Sequence, residues 1–307
     1  MTWMLGGQKK PELKLTGMSN LGILIYATRT CYQSYDRSDE MGKNDRNLLK
    51  NIMRMGHYSP LNFLWFNFTG VIPEDYIGWI GRNHTVQNFV QYSPIRETLV
   101  VNAYTLKVTE DDPLTKKLIK LIMKQYSVPV IFGHDDVYPT QPFKVLVPPK
   151  REGVILIDWF PAFGAENTMV CYEVVGLSRA LLQQWVRHHL FPLVKSTRYT
   201  LRELRDFGGD VKDYFVPTGN EEVDRAVERQ IENLVQLKTN EGTKNDEAKY
   251  ALPEAYKTHM IVWQPIWSLR HMVEVRGGKA AMSEWHKYIP QLQEILDTID
   301  FMTTTKR

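Results

Sequence analysis

The stretch MVCYEVVGLSRALLQQWVRHH, residues 169–189, shows most directly which elements build the fold. Its first part, Met169 to Val175, is a run of apolar and β-branched residues that is typical of a buried strand. The part from Leu177 to His189 predicts a helix, which the chain enters directly from the strand. A strand that runs into a helix is therefore the unit around which the other predicted elements are arranged.

Further strands and helices are predicted on both sides of this unit. Amphipathic or capped patterns predict helices within residues 19–34, 44–55, 113–125, 221–237 and 280–299. Strand-like runs extend from Leu64 to Phe68, Thr98 to Leu106, Lys144 to Val147, Val154 to Phe160 and Val273 to Arg276. Pro73 can open a helix, and the polar residues from Lys238 to Glu247 predict a loop.

A second copy of the strand–helix unit is visible earlier in the chain. Residues 66–84 end in Arg82-Asn83-His84, and residues 171–189 end in Arg187-His188-His189. When Arg82 is superposed on Arg187, both segments read as a strand, a short break, a helix, and a closing Arg, polar residue and His. We interpret this as an internal duplication within one compact protein. The chain then divides into three predicted segments: 1–105 with the degenerate copy, 106–165 as an insertion, and 166–307.

The composition limits the classes of protein to which the chain can belong. Hydrophobic residues make up 43% of the 307 residues and charged residues 24%, so there is enough apolar material for a real core. A net charge of +3 is too mild for a nucleic-acid-binding surface. The aliphatic run from Leu21 to Ala27 is too short to span a bilayer, and two distant cysteines fit a reducing compartment. We therefore expect a cytoplasmic protein that binds neither nucleic acid nor a membrane.

Basic and hydroxyl side chains are concentrated at the end of the strand–helix unit. Arg187-His188-His189 closes the predicted helix, and Lys195-Ser196-Thr197-Arg198 follows shortly afterwards. Guanidinium and ammonium groups combined with hydroxyl donors are well suited to a phosphate. The alternative is that these cations only complement the negative end of the helix dipole. The density of the cluster, next to an apolar strand, favours an anion-binding pocket.

Over this cluster the chain resembles the flavin-dependent thymidylate synthases. Gly176 to His189, followed by Ser196-Thr197-Arg198-Tyr199, is similar to the family's signature helix, its Arg-His-Arg and its Ser-x-Arg-Tyr. Shorter similarities occur at Ala27 to Tyr32, Gly56 to Pro60, Leu252-Pro253, Ser268-Leu269 and Arg276. The similar segments cover residues 1–95, 169–200 and 248–295.

The resemblance implies a fold, an activity and a set of partners. The fold would be α+β, with helices packed on a mixed or antiparallel sheet. The activity would be that of a methyltransferase that passes a one-carbon unit from methylenetetrahydrofolate to C5 of dUMP, giving dTMP, with FAD and NADPH as cofactors. The nucleotide and the folate would be the small-molecule partners of a homo-oligomer, either a dimer or a tetramer.

The resemblance also implies roles for individual residues. Nucleotide contacts would come from Gln184, Arg187, Ser196, Thr197, Arg198, Lys249 and Arg276. Arg276 would be the catalytic residue, because its guanidinium can stabilise negative charge on the pyrimidine ring while C5 attacks an electrophile. Cofactor contacts would come from Ser59, Asn62, Arg187, His188, His189, Trp267 and His271. No covalent cysteine is implied, since neither Cys31 nor Cys171 falls in a family motif.

The chain departs from the family pattern mainly at the positions assigned to the flavin. His189 stands in place of an Arg, and the loop that begins Ser59-Pro60 lacks the family's Glu-His pair. Pro265 and Trp267 stand where the family has an Asn and an Arg. Trp267 could replace a charged contact by stacking on an isoalloxazine or adenine ring, or it could fill the cofactor site altogether.

These departures leave two alternative functions open. The first is a 5-hydroxymethylase that acts on dUMP or dCMP without net reduction. The second, from a different class, is a catalytically inactive homologue that keeps a nucleotide pocket and serves as a binding or scaffold protein. Retention of scattered polar residues such as Gln184, Arg187 and Arg276 argues against the inactive protein.

Two further kinds of site are not supported by the sequence. The earlier motif copy has Pro94 where the phosphate-binding Arg would stand, so we predict that Arg82 does not belong to a second active site. No pair of histidines has ligand spacing with a nearby cysteine or carboxylate, so we predict no metal site.

Overall fold

The structure is a computed structural model that describes residues 11–85, 90–126, 151–162, 165–204, 209–239 and 243–305. Within these ranges the chain forms two compact units, each with a four-stranded antiparallel sheet. The first unit takes in the described residues before Tyr26 and those between Asp39 and Val145. The second takes in Tyr26–Ser38 and the described residues from Leu146 onward. The predicted α+β class, with antiparallel sheets and helices, is confirmed.

The first unit is built on a sheet with the strand order β1-β2-β4-β3. Its strands are β1 (Lys14–Met18), β2 (Trp65–Thr69), β3 (Val90–Ser93) and β4 (Thr98–Asn102). Its helices are α2 (Lys43–Arg54), α3 (Pro73–Arg82), α4 (Ala103–Val108) and α5 (Pro113–Gln125), and helix α1 (Leu21–Tyr32) begins in it. The central strands β2 and β4 carry the core of the unit, since Phe66, Phe68, Leu99 and Val101 are all completely buried.

The second unit has the strand order β5-β6-β8-β7. Its strands are β5 (Gly153–Phe160), β6 (Met169–Ser178), β7 (Phe191–Val194) and β8 (Lys257–Pro265). Its helices are α6 (Arg179–Trp185), α7 (Thr197–Thr200), α8 (Glu221–Thr239), α9 (Asn245–Ala248), α10 (Ile266–Arg276) and α11 (Trp285–Thr305), together with the end of α1. The main core lies where β6 and β8 meet α6, α10 and α11, around Tyr172, Trp185 and Trp285.

The two sheets have the same order of strands along the chain. In each sheet the first strand lies at one edge, the second and fourth are central, and the third lies at the other edge. A helix follows the second strand in both cases, and Arg82 or Arg187 stands at or just after the end of that helix. This is the topology that an internal duplication would produce. Descent of the two units from one ancestral unit stays a prediction.

The helix that follows β6 is shorter than the sequence predicts. Gly176 has a φ of 79°, a left-handed conformation open to glycine because it has no Cβ, and the pairing with β8 shifts register at this point. Through this β-bulge the strand continues to Ser178. The Ser178 side chain then accepts a hydrogen bond from the Leu181 amide and caps α6. The predicted helix over residues 177–189 is therefore wrong at both ends.

Three other predicted elements also need correction. The strand beginning at Thr98 does not reach Leu106, because the side chain of Asn102 accepts a hydrogen bond from the Thr105 amide and starts α4. Residues 273–276 are the last turn of α10 and not a strand. The predicted loop at residues 238–247 contains the end of α8 and the start of α9.

Two predictions about organisation stay open. The predicted strand from Lys144 to Val147 lies outside the described residues, and the division into three segments stays a prediction. No helix within the described ranges combines the length and the apolar character needed to cross a membrane.

Candidate active site

Arg276, the predicted catalytic residue, is held by three elements of the second unit. It ends α10, and its Nε donates a hydrogen bond to Nε2 of His188 at 3.1 Å. Its Nη1 donates to Oε1 of Gln184 in α6 at 3.0 Å, and its guanidinium carbon lies 5.6 Å from the ring centre of buried Trp285. Among the described residues Nη2 has no hydrogen-bond acceptor. One edge of a fixed and permanently charged guanidinium can therefore meet a ligand.

His188 is uncharged in this arrangement. Burial, together with the charges of Arg276 and His271, lowers its pKa from 6.5 to about 4. Because Arg276 donates to Nε2, that nitrogen carries the lone pair, and the imidazole proton is assigned to Nδ1. His188 therefore supports Arg276 through its hydrogen bond, and the cofactor contact that the resemblance implies for it stays a prediction.

The lowered pKa of His188 predicts a loss of stability in acid. Between pH 6.5 and about 4 the unfolded chain takes up a proton at this residue and the folded chain does not, so the free energy of unfolding decreases as the pH falls. His188→Gln keeps an acceptor for Arg276 but removes the titrating group. We expect the urea midpoint to fall less between pH 7 and pH 5 in the variant than in the parent, with His189 present in both. Equal slopes would show that the pKa of His188 is ordinary in the folded protein.

His189 and Trp267 form a stacked aromatic pair at the start of α10. Their ring centres are 5.4 Å apart and their planes differ by 24°. Trp267 is 44% exposed, which is high for a tryptophan, and burial lowers the pKa of His189. The pair therefore presents a flat and uncharged aromatic surface on which a planar ring system can stack.

Arg198 and Lys249 are brought together at one carboxylate. Nε of Arg198 lies 3.2 Å from Oδ2 of Asp246, and Nζ of Lys249 lies 3.4 Å from Oδ1 of the same residue. The neighbouring Asn245 donates a hydrogen bond from its side chain to the carbonyl oxygen of Arg198 at 2.8 Å. The structure thus brings together two of the predicted phosphate-binding cations, joined by an acidic residue that the sequence did not single out.

The segment before α7 is fixed through its backbone. The amide of Lys195 donates to the carbonyl oxygen of His259 at 2.7 Å, and the amide of Ser196 donates to that of Cys31 at 2.9 Å. Ser196 precedes α7 as its N-cap, but its hydroxyl makes no capping bond. The ammonium group of Lys195 lies 2.8 Å from both carboxylate oxygens of Glu203, so this cation of the predicted cluster is neutralised within the protein.

A buried carboxylate anchors the elements that hold this segment. Glu173 in β6 is completely buried and accepts hydrogen bonds from Nε2 of His259 in β8 and from the hydroxyl of Tyr26 in α1. A carboxylate in such a place is tolerated only because these donors compensate its lost hydration. Glu173 therefore ties β8 and the middle of α1 to β6. His259 on β8 and Cys31 near the end of α1 accept the hydrogen bonds from the amides of Lys195 and Ser196.

Three other predicted site residues also lie in the second unit. Arg187 is exposed in the turn that follows α6, and Thr197 is the first residue of α7. His271 lies in α10, and its ring centre is 6.3 Å from that of His188. Arg187 is thus next to His188 in the sequence, but within the described part of the chain no hydrogen bond joins its side chain to Arg276 or Gln184.

The first unit contains two predicted cofactor contacts and the earlier motif copy. Ser59 and Asn62 belong to one 3-10 turn, where Oδ1 of Asn62 accepts a hydrogen bond from the side chain of Asn102 at 3.0 Å. In the motif copy, Arg82 donates from Nε and Nη2 to the two oxygens of Asp112, at 2.7 and 3.2 Å. Asp112 therefore neutralises the charge of Arg82, and the absence of a second active site in this copy stays a prediction.

Neither cysteine is prepared to act as a nucleophile. Burial raises the pKa of the Cys31 thiol to about 12 and that of the fully buried Cys171 thiol well above its usual range. A thiol that stays protonated at neutral pH is a poor nucleophile. Among the described residues no group of three His, Cys, Asp or Glu side chains is arranged to hold a metal ion.

Three features of the second unit indicate what kind of ligand it can bind. They are the fixed guanidinium of Arg276, the exposed aromatic pair, and the two cations that meet at Asp246. This is an α+β protein with the means to bind an anionic small molecule that contains planar rings. Residues 165–300 match the family model described as "Thymidylate synthase complementing protein". The flavin-dependent thymidylate synthase of Campylobacter jejuni is 40% identical over 139 residues, which cover 43% of this chain and 67% of that protein. The chain therefore belongs to the flavin-dependent thymidylate synthase family.

A relative from another organism agrees with this assignment. The flavin-dependent thymidylate synthase of Wolinella succinogenes is 39% identical over 139 residues, which cover 43% of this chain and 68% of that protein. A solved structure of thymidylate synthase X from Helicobacter pylori with FAD and dUMP is 22% identical, with 94% of this chain and 90% of that chain covered. Its TM-score of 0.36 is too low to transfer any arrangement between the two structures. Family membership makes the protein an enzyme of the thymidylate synthase class, a methyltransferase.

Proposed function

We propose that this enzyme transfers a one-carbon unit from methylenetetrahydrofolate to C5 of a deoxypyrimidine monophosphate, converting dUMP to dTMP with FAD and NADPH. The relatives support the reaction class, since they are named flavin-dependent thymidylate synthases. The observation that carries the proposal is the guanidinium of Arg276, which Gln184 and His188 fix with one edge free.

Arg276 has the properties that attack by C5 requires. C5 of a uracil is a weak nucleophile, so negative charge on the ring must be stabilised while the new bond forms. A guanidinium stays protonated, and one that is already oriented needs no reorganisation as the charge develops. The two acceptors on Arg276 and the ring of Trp285 supply that orientation before any ligand binds.

The second unit also offers a surface that fits a flavin. The exposed pair of His189 and Trp267 can stack on a planar ring, and Arg187 lies exposed just before His189. A bound flavin supplies the electrons, taken from NADPH, that make the transferred carbon a methyl group. In this proposal the residues of the chain hold and orient the ring system, while Arg276 acts on the pyrimidine.

We assign the phosphate of the nucleotide to Arg198 and Lys249, with Ser196 and Thr197 as additional donors. Arg198→Ala is expected to weaken dUMP binding by about 1.5–3 kcal/mol, the range for a hydrogen bond to a charged group. Isothermal titration calorimetry measures this loss, with Arg202→Ala, a nearby exposed arginine, as the matched control. If Arg198→Ala binds dUMP as the parent does, Arg198 is not part of the site.

We propose that the enzyme works as a homo-oligomer, a dimer or a tetramer. Arg276 and Arg198 belong to two hydrogen-bonded groups, and no hydrogen bond or ion pair between described residues joins these groups. A complete site could therefore combine the Arg276 group of one copy with the Arg198 group of another. Analytical ultracentrifugation tests the proposal, and a monomer at working concentration would contradict it.

One experiment separates the candidate functions. The purified protein is incubated with methylenetetrahydrofolate and either dUMP or dCMP, with and without NADPH, and the products are identified by mass. A methylated nucleotide that requires NADPH supports the proposal. A hydroxymethylated nucleotide formed without NADPH supports the 5-hydroxymethylase instead. The absence of product with every substrate, together with nucleotide binding, indicates the inactive homologue.

A further inference from the structure

Asp246 lies between the two cations that we assign to the phosphate. Its two carboxylate oxygens contact different partners, Oδ2 the Nε of Arg198 at 3.2 Å and Oδ1 the Nζ of Lys249 at 3.4 Å. The adjacent Asn245 holds the backbone of Arg198 through a separate hydrogen bond of 2.8 Å. The carboxylate of Asp246 therefore meets both cations, while the local backbone is tied independently of its charge.

We propose that Asp246 is an internal counter-ion that competes with the phosphate of the nucleotide for Arg198 and Lys249. The inference rests on the proposed function, because it takes these two cations as the phosphate site. Without ligand, the carboxylate satisfies both cations and keeps them together. With ligand, the phosphate replaces the carboxylate, and Asp246 turns towards solvent.

The exposure of the three side chains makes such an exchange possible. Arg198 is 62% exposed, Asp246 47% and Lys249 36%, and ion pairs at such exposure are weak because water and salt compete with them. The cations also keep other contacts, since Arg198 lies over the ring of Tyr199 and Lys249 over that of Tyr250. They can therefore stay in place when Asp246 leaves.

The competition also sets which ligands the site accepts. A phosphomonoester dianion carries about twice the charge of a carboxylate, so it gains more from two cations than Asp246 does. A ligand with a single negative charge gains no such advantage, and an uncharged nucleoside gains none. Asp246 would thus set a threshold that a phosphomonoester dianion passes more readily than a ligand with a single negative charge, and it would not affect the binding of an uncharged nucleoside.

The test is the substitution Asp246→Asn, which removes the charge and keeps the shape of the side chain. Binding of inorganic phosphate and of dUMP is measured by calorimetry at low salt. We expect both ligands to bind roughly threefold to tenfold more tightly, as for the loss of two competing exposed ion pairs, with a smaller gain at high salt. The affinity for deoxyuridine should not change. An unchanged or weakened affinity for phosphate would overturn the inference.

Two control variants separate the possible causes. Glu247→Gln removes one negative charge from the exposed residue next to Asp246. If this variant gains as much affinity as Asp246→Asn, the gain comes from the change in the net charge of the protein and not from the contacts of Asp246. In Arg198→Ala, the additional substitution Asp246→Asn should restore little affinity. If Arg198→Ala alone loses no affinity, both the phosphate site and the role of Asp246 fail. If it loses affinity but Asp246→Asn gains none, only the role of Asp246 fails.

Discussion

Arg276→Lys is expected to fold and to bind dUMP with at most a modest loss, but to turn over roughly 10²–10³ times more slowly, as when one preorganised charge-stabilising donor is removed. In the parent protein the guanidinium donates in two fixed directions, to His188 and to Gln184, and stands over the ring of Trp285. A lysine keeps the positive charge but has a compact ammonium on a flexible stem. It cannot make both hydrogen bonds and still present a fixed donor to the ring. The charge would remain, and its preorganisation would be lost.

Arg270→Lys provides the matched control for this prediction. Arg270 lies on the same helix, α10, and forms ion pairs with Glu166 and Asp300, so the same substitution is made away from the Arg276 group. Turnover of dUMP by this variant should stay close to that of the parent. Near-normal turnover in Arg276→Lys would show that charge at the pyrimidine is stabilised elsewhere, and the proposed role of Arg276 would have to be given up.

The sequence predicted the helices and strands whose cause is local. The helix predicted at residues 44–55 is found at Lys43–Arg54, and the helix predicted to open at Pro73 begins there. The spacing of apolar residues indicates the first helix, and the proline indicates the start of the second. The last turn of α10 is different. Val273 and Val275 favour a strand locally, but Ile266, Leu269 and Met272 of the same helix pack into the core and keep the segment helical.

The end of β6 shows a second limit. A glycine between a strand and a helix suggests a break, and the sequence therefore predicts that the helix starts beside it. In the structure Gly176 forms a bulge, and the hydrogen bonds to β8 continue for two more residues. Whether such a glycine ends a strand or bends it depends on the neighbouring strand, which is far away in the sequence.

The resemblance predicted the cations of the candidate site but not their partners. It placed Arg276 and Gln184 in one site, and the structure joins them by a hydrogen bond. It gave no indication that Asp246 would meet Arg198, or that Glu203 would meet Lys195. Ion pairs between separate segments leave no periodic pattern in a sequence, so they could not be predicted.

Glu173 was visible in the sequence as an acidic residue inside an otherwise apolar strand. Its substitution is expected to have the largest effect on stability. Glu173→Ala leaves the donors of His259 and Tyr26 buried without their acceptor and opens a cavity in β6. Removing one partner of a buried pair costs about 3–5 kcal/mol of the free energy of unfolding. We expect a loss of this size in urea unfolding, because both donors lose their acceptor in the protein interior.

Two further variants show whether this loss comes from the buried hydrogen bonds of Glu173. Glu232→Ala makes the same change at an exposed position of α8 and should alter the free energy of unfolding by no more than about 0.5 kcal/mol. Glu173→Gln keeps the volume and one acceptor oxygen, so its loss should lie between those of the other two variants. A loss in Glu173→Ala as small as that in Glu232→Ala would mean that water enters and satisfies His259 and Tyr26. Contacts other than the hydrogen bonds of Glu173 would then have to hold β8 and α1, and with them the segment that carries Ser196, against β6.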